Sequence, residues 1–128
     1  MTSIEELKEF GLEIPDTMNE GKVIVDVYTE IWVNCSLKQE WCGPCKFLSP
    51  ILEKLKQEGL IKLLKEDLDK NRPLGEKFGI TAIPTLLFFK NGELLIHPIE
   101  IEGRLLVRNG IMVGAAGEQV MREVVEKM

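Results

Sequence analysis

The chain has 128 residues, 45% of them apolar and 29% charged, and a formal net charge of -5 at pH 7. That length suffices for one domain, since a chain of this size buries roughly two thirds of its unfolded surface and needs no disulfide or metal to fold. No apolar run approaches the ~20 residues of a membrane span, and an acidic balance without a Lys/Arg cluster argues against nucleic acid or anionic lipid as a partner.

The opening MTSIEELKEF lacks the basic and apolar regions of a secretory signal, so a cytoplasmic protein is expected. Ser3 and Glu6 form a capping box, and Ile4, Leu7 and Phe10 predict a short helix that Gly11 ends. VIVDVY, residues 23–28, reads as a buried strand interrupted by one acid, and IWVNCSL, residues 31–37, is also strand-like. From Pro44, the apolar residues Phe47, Leu48, Ile51, Leu52 and Leu55 recur at helical spacing until Gly59, with Pro50 inside the helix. LIKLLKEDLD predicts another strand, RPLGEKFG a short helix, and PTLLFF a strand that ends at the hairpin signal Asn91-Gly92. Glu102-Gly103 and Asn109-Gly110 mark further turns, so a meander of up to four antiparallel strands is expected from Leu86 to Ala115, with one face buried against the domain or a partner. A last helix places Val120, Met121, Val124, Val125 and Met128 on one face. The order of these elements implies a three-layer α/β domain.

The chemistry-bearing feature is the Cys42/Cys45 pair in QEWCGPCKF, at the junction of a strand-like segment and a helix. Pro44 suits the first helical turn, where its missing N–H costs nothing. Unpaired backbone N–H groups and the positive end of the helix dipole favour an anion there, so the Cys42 thiol is expected to ionise well below ~8.5. Cys45 follows three residues on, positioned to resolve a mixed disulfide formed by Cys42. Gly43 keeps the loop thin enough for a substrate backbone to approach. A structural zinc site would need a second cysteine pair or a histidine pair, and only Cys35 and His97 remain. Three cysteines without an export signal fit reduced or catalytic thiols better than a disulfide framework. Cys35 itself follows the pattern of a small core residue, and His97 beside Pro98 that of a loop residue. Asp26, an acid in an apolar strand, is costly to bury without purpose.

WCGPCK, residues 41–46, resembles the active site of the thioredoxin family, and DLDKNRPLGEKFGITAIPTLLFFKNGE, residues 67–93, is similar to the second half of that family without gaps. VGAAGEQVMREVVEKM resembles the family's closing glycine and last helix, and VIVDVYTE its central strand with a buried aspartate. The resemblance covers two thirds to three quarters of the chain, residues 1–128 being read as one thioredoxin-like domain with insertions at about 31–40 and 96–109. It implies a thioredoxin fold, a central mixed β-sheet flanked by helices, with an extended hairpin or meander near the C-terminus. It also implies a thiol:disulfide oxidoreductase that reduces protein disulfides with no cofactor beyond the Cys42–Cys45 dithiol, is recycled by a thioredoxin reductase or its equivalent, and works as a monomer.

By the same resemblance Asp26 is the buried acid beneath the cysteines, Lys65 the lysine near it, and Trp41 shapes the reactive surface. Ile83-Pro84-Thr85 carries the family's cis-proline, and Ile83, Thr85 and Gly114 meet the substrate. The ten residues IWVNCSLKQE leave a second register open, in which WVNCSL is the central strand and Asn34 replaces Asp26. The rival function is a binding module on the same fold, whose extra strands dock a specific partner.

Overall fold

The computed structural model describes residues 3–28, 43–82, 84–114 and 116–128, with the side chains of Asp16, residues 43–47 and Asp69 excepted. Cys35, Asn34 and the strand-like segment 31–37 lie outside the described residues. Ser3 caps the first helix and Glu6 returns the bond, as the capping box predicts, but Ile4–Phe10 is a 3-10 helix rather than an α-helix. Its apolar residues explain that: Ile4, Leu7 and Phe10 recur every three residues, the period at which a 3-10 helix aligns its side chains. A second 3-10 turn, Asp16–Asn19, leads into β1.

β1 (Lys22–Tyr28) pairs in parallel with β2 (Lys62–Asp67) on one side and antiparallel with β3 (Thr85–Lys90) on the other. VIVDVY is therefore a central strand flanked on both edges, with Asp26 inside the sheet, while the competing segment with Asn34 lies outside the described residues. Between β1 and β2 the chain forms α1 (Gly43–Gln57), which runs through Pro50, and between β2 and β3 a 3-10 turn and α2 (Arg72–Phe78). Buried in-register side chains split the sheet cleanly by face. Val23, Val25, Val27, Leu87 and Phe89 meet Ile4, Leu7 and Leu74 below it. Ile24, Leu86 and Phe88 meet Leu48, Leu52 and Leu55 of α1 and Met121, Val124 and Val125 of α3 (Glu118–Lys127) above it. Phe88 and Phe89 are fully buried on opposite faces, each contributing about 1.5–3 kcal/mol of apolar transfer. The three layers expected from the sequence are present.

The expected C-terminal antiparallel strands are present as well, but they do not pair one after another in a single sheet. After the turn at Asn91 (φ 52) and Gly92 (φ 87), β4 (Glu93–Leu94) pairs with the end of β3, as a two-residue hairpin requires. The chain then leaves the sheet, forms a separate two-stranded sheet from β5 (Ile99–Ile101) and β6 (Arg104–Val107), and returns as β7 (Ile111–Val113) to pair with the start of β3. β4 and β7 thus occupy the same edge of β3, one after the other. Two residues along β3 the partner changes from Leu94 to Ile111, where an unbroken strand would bring residue 96. Phe88 marks the join, accepting from the Leu95 N–H at 2.9 Å and donating to the Gly110 carbonyl at 2.8 Å. Ile99, Ile101 and Val107 are buried in the cluster that contains α3, so the excursion's apolar face is covered by its own domain. Lys127 Nζ donates to the Glu100 carbonyl at 2.9 Å, and His97 Nε2 lies 2.9 Å from the Lys127 carbonyl, fastening the excursion to the C-terminal end of α3.

Gly110 is the tightest point of this crossing. A Cβ there would stand 2.5 Å from Leu94 Cγ and 2.9 Å from the Leu95 carbonyl oxygen, and φ is +77. Gly110→Ala should therefore lower stability by about 1–3 kcal/mol through overpacking and a disfavoured backbone region. Urea unfolding checks this, and an unchanged midpoint would mean the return strand does not pass Leu94 so closely.

Candidate active site

On the α1-facing side of the sheet the central strand carries one acid, Asp26. Asp26 lies in register between Lys65 of β2 and Leu86 of β3, is 4% exposed, and its Oδ1 has no hydrogen-bond partner among the described residues. Burial pushes its carboxyl from the ordinary 3.8 up to about 6, against the smaller opposing pull of the Lys65 charge. Lys65 is held by α1 rather than by the acid: its Nζ donates to Ser49 Oγ at 2.9 Å and lies 3.7 Å from Glu53 Oε1. Ser49 and Glu53 were not singled out by sequence reasoning. Their i, i+4 spacing on the helix, facing a lone lysine in the following strand, is the signal that could have found them.

The described part of α1 begins at Gly43 and includes the backbone of Cys45. Trp41, Cys42 and Ile83 lie outside the described residues, and of Gly43, Pro44 and Cys45 only the backbone is described.

Pro84 is buried at the entrance to β3, and its carbonyl accepts from the Gly114 N–H at 2.8 Å. That bond continues the pairing of Thr85 with Val113 and brings together Pro84, just before β3, and Gly114, just after β7. Gly114 has φ +95 with open space around its missing Cβ, so backbone conformation rather than crowding calls for glycine. Beside it Val113 is 61% exposed, an apolar side chain at the sheet edge next to the loop. Thr85 is fully buried and its Oγ1 donates to the Ala82 carbonyl at 2.6 Å. Its hydroxyl therefore closes the loop before β3 and is turned away from solvent, where a substrate would have to meet it.

α1 and α3 are tied across the same face. Arg122 of α3 forks onto Glu58 after α1, with 2.9 and 2.6 Å contacts, and its Nε reaches Glu118 at 2.9 Å. Lys54 of α1 completes the group at 3.1 Å from Glu118 Oε2. These exposed pairs contribute little stability individually and orient the helix that carries the cysteines.

A family profile described as thioredoxin matches residues 4–109 of the chain. Thioredoxin of Rickettsia felis is 48% identical over 56 residues, a match covering 42% of this chain and 53% of that protein, so the chain spans about half the length of this relative. The M-type chloroplastic thioredoxin of Pisum sativum is 33% identical over 125 residues, covering 91% of this chain and 64% of the relative. Among solved structures, a mutant thioredoxin from Halobacterium salinarum superimposes with a TM-score of 0.62 at 26% identity, covering 87% of this chain and 77% of that one. Oxidised mitochondrial thioredoxin 3 of Saccharomyces cerevisiae gives 0.60 at 24% identity, with 87% and 82% covered, and supports the fold. The mixed sheet with helices on both faces is the thioredoxin fold, and the chain belongs to the thioredoxin family.

Proposed function

We propose that the chain is a thiol:disulfide oxidoreductase that reduces disulfides in protein substrates through Cys42 and Cys45. The observation that carries this reading is Asp26, a buried carboxyl on the α1-facing side of the central strand, held to about 6 by burial. An acid kept there at a desolvation cost has a use when a thiol nearby must lose or gain a proton. The Cys42 thiolate attacks one sulfur of the substrate disulfide, breaking that bond, forming a mixed disulfide and releasing one substrate thiolate. Cys45 then gives its proton to the Asp26 carboxylate, through water, and attacks the Cys42 sulfur. The second substrate thiolate leaves and takes up a proton. Two electrons have passed from the dithiol to the substrate, no prosthetic group takes part, and a reductase must return the Cys42–Cys45 disulfide to the dithiol.

Residues 1–128 act in this reading as one thioredoxin-like domain with insertions at about 31–40 and 96–109. Pro84 and Gly114 form the loop against which an extended substrate segment lies, with Ile83 supplying backbone pairing, Trp41 flanking the sulfurs, and Thr85 holding the loop from inside. A cytoplasmic setting, where thiols are kept reduced, suits this chemistry. Among the described residues no helix is long and apolar enough to cross a membrane. The rival adaptor reading loses its main support because the apolar face of the added strands is covered by α3.

Reduction of insulin tests the proposal. The reduced protein should cut insulin's interchain disulfides and precipitate its B chain with dithiothreitol as electron source. A protein no faster than dithiothreitol alone would leave the adaptor reading standing.

A further inference from the structure

Asp26 is a buried acid that lacks the partner standing beside it. Its Oδ1 has no hydrogen-bond partner among the described residues, although Lys65 lies directly opposite it in register on β2. Neighbouring strands are about 4.8 Å apart, well within a lysine's reach, and pairing is the ordinary remedy for a buried charge. Lys65 is drawn to α1 instead. Its Nζ donates to Ser49 Oγ at 2.9 Å and lies 3.7 Å from Glu53 Oε1. Positions 45, 49 and 53 recur every fourth residue, so α1 carries Cys45 and the two residues that hold Lys65 along one stripe.

The other groups that share the face of Asp26 are Asp67 of β2 and Tyr28 of β1, while β3, β7 and α3 bring the apolar Leu86, Met112, Met121 and Val124. Among the described residues Lys65 is the charge that acts on the carboxyl, in opposition to burial. We propose that Ser49 and Glu53 are positioning residues, a clamp that holds the Lys65 ammonium over α1 and leaves the Asp26 carboxyl unpaired, able to bind and release a proton. The clamp's part in catalysis rests on the general-base role proposed for Asp26. A lysine paired with that carboxyl would hold it ionised and weaken it as an acceptor of the Cys45 proton. By keeping the lysine away, Ser49 and Glu53 set the pH at which the mixed disulfide is resolved.

NMR of the Asp26 carboxyl carbon in the reduced full chain, assigned by its loss in Asp26→Asn, tests the clamp from pH 4 to 8. Ser49→Ala changes no charge, so a lower titration midpoint in that variant reports the released lysine. Ser49→Ala combined with Glu53→Gln should lower the midpoint by about one pH unit as Lys65 moves to the acid. Alanine and glutamine are good helix formers, so α1 is kept. The inflection in the pH profile of the resolving step should move down with the midpoint. In a Lys65→Met background the same two substitutions should shift it far less, because no ammonium remains to be released. A midpoint indifferent to the double substitution, or one that falls as far without Lys65, overturns the proposal. The titration needs no turnover: a chain inert towards insulin would refute the redox reading, and the midpoints would still decide the clamp.

Discussion

Cys42→Ser is expected to abolish reduction of insulin disulfides, whereas Cys45→Ser should still attack once and stop at a stable mixed disulfide. The asymmetry follows from position along the chain. Cys42 stands one position before Gly43, the first described residue of α1, and Cys45 lies inside that helix; unpaired N–H groups at a helix start favour an anion. Cys45→Ser therefore keeps the nucleophile and loses the group that resolves it. Non-reducing electrophoresis after mixing with a disulfide-bearing protein reads both outcomes, covalent adduct for Cys45→Ser and none for Cys42→Ser. Trapping by Cys42→Ser alone would reverse the assigned roles.

Asp26→Asn should stabilise the protein at pH 8 by up to ~3 kcal/mol and change little near pH 4. The folded protein raises the carboxyl from 3.8 to about 6 by burial, so it binds this proton more tightly than the unfolded chain does. The stability this proton contributes is fully present below about 3.8 and is lost as pH rises to about 6. Above that the wild type carries the whole cost of an ionised buried carboxylate, roughly two pK units at 1.36 kcal/mol each. Asparagine removes the charge at nearly constant volume and so removes the dependence. Urea unfolding of both proteins from pH 4 to 8 measures it; parallel curves would mean that Asp26 is solvated in the folded state. The same variant should slow resolution of the mixed disulfide and erase an inflection near pH 6 in that step, leaving the first attack unchanged.

Much of the frame was legible because local signals and tertiary demands agreed. Ser3 and Glu6 cap the helix they predict, Leu48, Leu52 and Leu55 are the buried stripe of α1, and Asn91-Gly92, Glu102-Gly103 and Asn109-Gly110 all turn with positive φ at both residues. What failed was strand partnership. Alternating Ile99, Ile101 and Val107 announce a buried face, but nothing in the pattern says that α3 covers it or that β7 rejoins β3 beside β4; those are decisions of packing between segments distant in sequence. The same limit left Asp26 and Asn34 as rivals in the sequence; β2 and β3 flank VIVDVY on both sides, and Asn34 lies outside the described residues. Thr85 was read as a substrate contact from resemblance, and its inward bond to Ala82 is a side-chain choice that spacing does not encode.

A thiol count with a reduction potential tests the central claim most directly. Titrated against oxidised and reduced dithiothreitol, the protein should lose two of its three thiols together, as an internal Cys42–Cys45 disulfide mapped by mass spectrometry, at a potential near the roughly −270 mV of thioredoxin itself. Three thiols that persist under oxidised dithiothreitol, or a disulfide that joins Cys35 instead, would contradict the account.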